Sequence, residues 1–276
     1  MSNLAIVQGF IDALDPEGAK RRELRRREWA KSQFKNAEAW DPEKTKFKDV
    51  LVIKAETWKP RSLFKVPVTR PADINDASLK GVIVSPNKRW AYAEKYCPAA
   101  YDCPLMYGRE RGVYIFDKEV RVPALYERNN YDDSRWSKSP WMSITPMEVL
   151  TLRPGTKRAK GCTIVAGLGL GHQLIDVSHR KQVSKIVLVE RDKELVHWLL
   201  PRIREHMKNP VYPRFEVVIG DAYEVMPKMK ADVALVDIFP GYGCNETGRD
   251  KLRETCPNIG FIWGWGCGAY RERGGW

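Results

Sequence analysis

The chain has 276 residues; 43% are hydrophobic and 30% charged, and 47 Lys and Arg against 35 Asp and Glu give a net charge of +12. These values are typical of a globular protein long enough for one large domain or two small ones. The sequence has no apolar run of about eighteen residues and no basic segment typical of a secretory signal, so we expect a cytoplasmic protein without membrane contact. The positive charge disfavours cationic partners and leaves nucleic acid open.

A basic stretch near the start is predicted to form a helix over residues 15–40. Asp15 is a good N-cap, and Pro16 suits the first helical position. The stretch could be an arm that contacts phosphates, or a solvated helix face with Glu23 and Glu28 interleaved among its cations. We favour the solvated face. The cations are Lys20, Arg21, Arg22, Arg25, Arg26 and Arg27.

The next part of the chain predicts a small β-rich region with many loops. Its short β-type runs are 50–53, 64–68, 81–84, 112–116 and 120–122, and Asp117 and Lys118 are predicted to form a hairpin tip. Residues 96–107 are expected to be an aromatic-rich loop. Residues 127–140 are predicted to be a linker or a substrate loop.

The six cysteines are scattered, so we expect reduced thiols rather than a disulfide framework. Cys97 and Cys103 have the spacing C-x5-C, with no second pair and no histidine close by. Structural zinc sites use tighter pairs, so we expect no metal here and regard both as small apolar residues.

A helix with a clear start precedes the first strand of the C-terminal part. Thr145 as N-cap, Pro146 at the first helical position and Glu148 three residues after the cap form a capping-box pattern. The helix is expected to stop at residues 154–155. Trp141 and Met142, just before it, are equally compatible with lining a pocket and with core packing.

The rest of the chain is organised around residues 161–190. A buried strand over 162–166 leads into three glycines at alternate positions, a helix, and a second buried strand over 186–189 that ends in Glu190. This order indicates a doubly wound α/β fold that holds an adenosine-containing ligand. A dinucleotide fingerprint would need glycine at position 172, where His172 stands. The glycines are Gly167, Gly169 and Gly171.

Two further strands are predicted to end in acids. Residues 214–220 lead into Asp221 and Ala222, and residues 231–236 lead into Asp237 and the loop that contains Tyr242. Residues 260–265 are predicted to be a fifth strand.

These motifs together resemble the class I S-adenosylmethionine (SAM) dependent methyltransferases. The resemblance implies a Rossmann-like SAM-binding domain over 141–276, after a β-rich region over 1–140. It implies that Glu190 holds the ribose, that Asp221 and Ala222 flank the adenine, and that Asp237 and Tyr242 are catalytic candidates beside an unidentified acceptor, with nucleic acid and protein both open. The implied SAM-binding residues are Gly167, Leu168, Gly169, Gly171, Glu190, Arg191, Asp221, Ala222 and Asp237.

Two departures keep other functions open. The pattern leaves no room for the sixth and seventh strands of the family, so we expect a short sheet or replacement strands from the N-terminal region. Motif I has Val165 where many methyltransferases have an acid. The motif resembles that of spermidine synthases, which also lack this acid, but Leu170 stands where those synthases carry an acid inside the glycine turn. An aminopropyltransferase-like enzyme that uses decarboxylated SAM and a SAM-binding protein without catalysis therefore remain alternatives.

Overall fold

A computed structural model describes most of the chain. It contains a parallel five-stranded sheet in the C-terminal part and two smaller sheets in the N-terminal part. The expected α/β class, with a doubly wound Rossmann-like sheet and a β-rich N-terminal region, is confirmed. The described residues are 15–66, 82–108, 110–129, 132–137, 139–208, 214–239, 241–242 and 245–267.

The N-terminal strands form two separate sheets. One has the order β1-β5-β4; the other has the order β2-β3-β6-β7, with β8 paired to β6. The strands are Val50–Ile53 (β1), Ile83–Val84 (β2), Trp90–Cys97 (β3), Cys103–Tyr107 (β4), Glu110–Phe116 (β5), Val120–Asn129 (β6), Asp132–Trp136 (β7) and Met142–Ser143 (β8).

Several expectations for this region are wrong. Asp117 and Lys118 do not form a hairpin tip, because β5 and β6 belong to different sheets and the turn crosses between them. The Asp117 carboxylate accepts a hydrogen bond from the Ala55 amide at 2.8 Å, which holds this crossing. The predicted loops over 96–107 and 127–140 contain strands β4 and β7. Residues 64–66 are not a strand, and residues 67, 68 and 81 lie outside the described residues.

The basic helix, α1, spans Pro16–Ser32 and is shorter than predicted. Asp15 caps it as expected, since its carboxylate accepts a hydrogen bond from the Gly18 amide at 2.8 Å. A 3₁₀ turn, Phe34–Asn36, follows it. Ala30 anchors the helix by packing with Ile115 on the sheet that contains β1 and β5.

The C-terminal sheet has the order β11-β10-β9-β12-β13, with every pairing parallel. Its described part has five strands, so the sheet stays short. The strands are Gly161–Ala166 (β9), Val183–Glu190 (β10), Arg214–Ile219 (β11), Ala231–Val236 (β12) and Ile259–Gly264 (β13). The helices around it are Pro146–Arg158 (α2), His172–Ser178 (α3), Lys193–Arg204 (α4), Ala222–Val225 (α5) and Glu246–Thr255 (α6).

Helix α2 does not stop at residues 154–155 as expected. It runs on to Arg158 with Pro154 inside it. Proline lacks the amide hydrogen that a helix interior uses, so tertiary packing must compensate. Gly155 allows this packing. A Cβ at this residue would overlap the ring of Trp263 on β13, so the helix lies directly against that indole.

Both faces of the parallel sheet are covered, as all-parallel sheets require. Ile164 and Val187 point into one hydrophobic cluster, whereas Val165 and Leu188 point into a larger one. The larger cluster also contains side chains of the N-terminal sheets, such as Leu51. The two parts of the chain therefore share buried contacts on this face. The domain boundary at residues 140–141 stays a prediction.

Candidate cofactor and active site

The glycine turn joins β9 to α3 at the carboxyl edge of the sheet. Its three glycines have φ angles of +98°, +48° and +72°, which side chains rarely adopt. A Cβ would also overlap the backbone oxygen of Asp237 at Gly167, the Met142 sulfur at Gly169, and the Ile203 side chain at Gly171. The tight turn and its protein neighbours therefore require these glycines without reference to any ligand. Leu168 and Leu170, between them, are buried.

His172 occupies the position of the missing third glycine. It is 9% exposed, with Nδ1 3.4 Å from the Arg61 guanidinium and Nε2 3.4 Å from the Asp176 carboxylate. Burial lowers the pKa of His172. Arg61 also pairs with Asp176 at 2.8 Å, so a segment of the N-terminal part is attached to the start of α3.

Glu190 links the glycine turn to the loop after β10. One carboxylate oxygen accepts a hydrogen bond from the Leu168 amide at 2.8 Å, and the other accepts one from the Asp192 amide at 2.8 Å. A carboxylate offers about four acceptor positions, so about two remain for hydroxyl groups. The residue is only partly buried. Arg191, beside it, has an exposed side chain.

Asp221 follows the neighbouring strand at the same edge of the sheet. The Gly220 amide bonds to the Glu190 carbonyl at 3.0 Å, which places the ends of β10 and β11 side by side. One Asp221 oxygen caps α5 by accepting from the Tyr223 amide at 2.8 Å. Ala222 is 5% exposed, whereas Ile219 presents 42% of its surface, unusual for a large apolar side chain at a strand end. This exposed apolar surface beside two carboxylates was not predicted from the sequence.

Asp237 stands on the other side of the glycine turn, at the end of β12. Its amide bonds to the Ala166 carbonyl at 2.9 Å, and its own carbonyl lies against Gly167. Burial raises the pKa of the carboxyl to about 7. At neutral pH this group is therefore poised to accept or release a proton.

A second acid, Glu148, lies close enough to Asp237 to interact with it. Burial, and then the Asp237 charge, raise the pKa of Glu148 well above its ordinary value. The capping box is only half formed: Thr145 accepts from the Glu148 amide at 3.2 Å, whereas the Glu148 carboxyl accepts from the Ser143 amide instead. From the sequence, Glu148 was interpreted only as part of a capping box. Its spacing from Thr145 did not indicate that its carboxyl lies near Asp237.

Tyr242 lies farther along the same edge. Its hydroxyl accepts a hydrogen bond from the Gly108 amide at 2.7 Å, and its ring packs edge-on against Trp265 at 5.1 Å. Burial raises the pKa of this hydroxyl. Trp265 is in turn fixed to the end of β12 by a 2.9 Å bond from its amide to the Val236 carbonyl. Tyr242 thus ties the β4–β5 turn to the edge of the large sheet; residues 240, 243 and 244 of its loop lie outside the described residues.

Residues in or next to strands of the N-terminal sheets lie against this edge. The Met142 sulfur lies 2.9 Å from the Leu170 amide, so Met142 does lie against the glycine turn. Trp90 donates from its indole nitrogen to the Asp192 carboxylate at 2.8 Å. Trp141 packs edge-on against Trp90 at 6.2 Å and keeps 53% of its surface exposed. The candidate site is therefore built from both parts of the chain.

The strand order around the glycine turn decides the fold. Five parallel strands in the order third, second, first, fourth, fifth, with the turn after the first strand, form a doubly wound nucleotide-binding sheet. The fold is therefore a doubly wound Rossmann-like fold.

Solved structures to which the chain is similar include two methyltransferases and a spermidine synthase. A putative RNA methyltransferase from Pyrococcus horikoshii is 19% identical, with a TM-score of 0.32 over 44% of this chain and 60% of that one. Spermidine synthase from Thermotoga maritima is 19% identical, with a TM-score of 0.32 over 50% and 49%. A SAM-dependent methyltransferase from Thiobacillus denitrificans, in complex with S-adenosyl-L-homocysteine, is 18% identical, with a TM-score of 0.31 over 44% and 48%. The matches span about half of each solved chain.

No family model and no curated protein sequence matches the chain. Within the described residues, no helix has the length and apolar character needed to cross a membrane. The same part of the chain brings no three His, Cys, Asp or Glu residues together in a metal-binding arrangement.

Proposed function

We propose that the chain binds SAM at the carboxyl edge of β9, β10 and β12 and transfers its methyl group to an acceptor molecule. One arrangement carries this proposal: the Glu190 carboxylate on one side of the glycine turn and the desolvated Asp237 carboxyl on the other. The acid on one side of the turn would bind the ribose, and the titratable acid on the other side would face the acceptor. This arrangement suits a cofactor that presents a reactive group to an acceptor.

The donor set fits the adenosine part of the cofactor. Glu190 keeps acceptor positions for the two ribose hydroxyls, and Asp221 keeps one carboxylate oxygen with no partner among the described residues. Ile219 offers exposed apolar surface beside them for a flat ring. Leu168, Gly169 and Arg191 complete this side of the site, with Ala222 under the adenine position.

When bound, SAM would supply an electrophilic methyl group on its sulfonium. The protein then has to hold the acceptor in line with the methyl group and to accept the acceptor's proton. Asp237, with a pKa of about 7, accepts the proton of the attacking group, and Glu148 is a second carboxyl group beside it. Phe239 and Tyr242 line the entrance through which the acceptor reaches Asp237.

Aminopropyl transfer is a second candidate function, and the Glu148–Asp237 pair favours it. Such an enzyme needs acids near Asp237 to hold a cationic amine, and the structure brings a second one there. The net charge of +12 and Leu170 inside the glycine turn oppose this candidate. The choice between the two is therefore a matter of which cofactor binds.

The test is calorimetric titration with SAM, S-adenosylhomocysteine, decarboxylated SAM and NAD. Glu190→Gln is the matched variant, because it keeps one acceptor oxygen for the turn, whereas Glu190→Ala would leave the Leu168 and Asp192 amides without their partner. The proposal is supported by tight binding of SAM and S-adenosylhomocysteine that weakens at least tenfold in Glu190→Gln. The variant should still unfold cooperatively, with a loss of stability no larger than about 1 kcal/mol, the contribution of one hydrogen bond.

The other outcomes each point to a different function. A preference for decarboxylated SAM selects aminopropyl transfer, and binding of NAD alone overturns the assignment. Binding of SAM must be followed by assays with nucleic acid, protein and small amine acceptors. If Asp237→Asn keeps full turnover with an accepted substrate, the proton-accepting role of Asp237 is wrong. SAM binding without turnover on the whole panel favours a binding protein.

A further inference from the structure

Helix α1 is a charged helix that touches the rest of the protein through a small part of its surface. It carries seven Lys or Arg residues and three Glu residues in 17 positions. Gly18 and Ala30 are its only buried residues. Ala30 defines the side that faces the sheet, because it packs with Val52, Ala100 and Ile115.

The ion pairs of the helix lie mostly toward its flanks. Arg26 pairs with Asp102 on the body of the protein at 2.9 Å, which fixes the helix against the loop before β4. Arg27 pairs with Glu23 along the helix. Lys20 and Glu17 pair at 3.0 Å near its start. These contacts use two of the three acids that alternate with the cations in the sequence.

Two arginines point away from the protein without such partners. At about 100° per residue, Arg21 lies directly opposite Ala30 and Arg25 lies about 40° from Arg21. Both side chains are exposed, and neither has an acidic partner among the described residues. They are one helical turn apart, or about 6 Å along the axis. Glu28 also lies on this face and has no cationic partner in the part of the chain that the structure describes.

Two large apolar side chains border these arginines. Leu24 presents 58% of its surface and Trp29 presents 41%. Part of each side chain is therefore open to solvent. Arginine forks suit phosphate oxygens, and an exposed indole stacks on any unpaired base. A helix that inserts into a membrane surface would instead need a continuous apolar face, which Arg21, Arg25 and Glu28 interrupt.

We propose that this outer face of α1 binds single-stranded RNA, with Arg21 and Arg25 on phosphates and Trp29 stacked on a base. The positive charge of the arginines favours a polyanion as the ligand. The exposed indole favours a polyanion with unpaired bases, and RNA loops and ends have such bases. The surface is formed by α1 alone. The inference is therefore independent of cofactor binding and of the reaction at Asp237.

The test is fluorescence anisotropy of the full chain with a labelled twelve-nucleotide single-stranded RNA at three KCl concentrations between about 50 and 200 mM. Arg21→Gln with Arg25→Gln is expected to weaken binding at least tenfold and to reduce the slope of log Kd against log salt by about 1.4, or about 0.7 per phosphate. Trp29→Ala is expected to weaken binding about tenfold with the slope unchanged. Glu28→Gln is expected to strengthen it.

Lys181→Gln with Lys230→Gln is the matched control, because it removes the same charge from exposed positions on the large sheet's side of the chain. This control should reduce affinity by less than threefold. Equal losses in the control and the α1 variant would mean that net charge alone binds RNA and would overturn the proposal. So would the absence of binding at the lowest salt, equal competition by polyglutamate, or tighter binding of DNA of the same sequence.

Discussion

The sulfur of Met142 lies 2.9 Å from the amide nitrogen of Leu170, inside the glycine turn. Met142 belongs to β8, which pairs with β6 of the N-terminal part, so this contact joins that part to the centre of the candidate site. The same sulfur fills the space where a Cβ of residue 169 would stand. The glycine turn is therefore shaped by a side chain from the strand just before α2.

Gly169→Ala tests this contact. The substitution places a methyl group on Met142 at a residue with φ of +48°, so we expect a loss of stability of about 1–2 kcal/mol from the backbone alone, with loss of cofactor binding. Thermal melts and calorimetry measure the two effects. Gly241→Ala is the control, because a Cβ there meets nothing within 4 Å.

A double-mutant cycle separates the two causes. If contact with Met142 matters, Met142→Ala should recover part of the stability that Gly169→Ala loses. Additive losses in the double variant would show that only the backbone angle resists the substitution.

Asp237 is expected to make stability depend on pH. The folded state keeps its proton up to about pH 7, whereas the unfolded chain releases it near the ordinary pKa of 3.8. Between these values the folded state binds more protons, so the free energy of unfolding falls as the pH rises. Asp237→Asn should remove this loss, so that the variant changes less in melting temperature between about pH 5 and pH 8.

The control for this experiment is Asp49→Asn, which removes an exposed carboxylate elsewhere. Its melting curve should follow that of the unmodified protein across the same pH range. Parallel curves for the unmodified protein and Asp237→Asn would contradict the raised pKa. Turnover, where a substrate is found, should rise with pH through about 7 if Asp237 is the base.

Tyr242→Phe distinguishes a structural hydroxyl from a chemical one. The variant leaves the Gly108 amide without its 2.7 Å acceptor, so we expect a loss of about 1 kcal/mol in stability. Turnover should change far less than in Asp237→Asn, because the ring still packs on Trp265. Tyr101→Phe, at a tyrosine that is 47% exposed, is the matched control for stability. Turnover abolished at an unchanged melting temperature would instead mean that the hydroxyl takes part in the reaction.

The strands of the large sheet were predictable because burial on both faces makes each one a continuous apolar run. The clearest case is β12, predicted over 231–236 and found at those residues. An acid at the end of β10 and acids shortly after β11 and β12 then indicated the carboxyl edge of the sheet, and with it the place of the candidate site.

The N-terminal strands were harder to predict for physical reasons. Pro104 and two cysteines made residues 96–107 resemble a loop, yet β4 lies at the edge of its sheet, where proline is tolerated. The role of Glu148 was missed for a different reason. Its spacing from Thr145 explained its presence through local capping, whereas its pairing with Asp237 depends on how α2 packs across the sheet, which no local pattern encodes.

Cys97 and Cys103 provide the last prediction. Their sulfur atoms are 3.7 Å apart, and they belong to different N-terminal sheets, at the end of β3 and the start of β4. The hydrogen bond from Cys97 lowers the pKa of the Cys103 thiol, so Cys103 forms the thiolate first. Mild oxidation with diamide, which takes up two electrons and two protons, should therefore join the two sulfurs.

The product should have lost the mass of two hydrogens, resist alkylation after unfolding, and be more stable by about 2 kcal/mol because a short loop is closed. Cys97→Ser should abolish all three effects, whereas Cys162→Ser, at a partly exposed thiol far along the chain, should leave them intact. Peptide mapping of the oxidised protein decides the matter. A bridge that involves Cys162, or two thiols that stay reduced in the folded protein, would show that the Cys97–Cys103 pair is closed to oxidation.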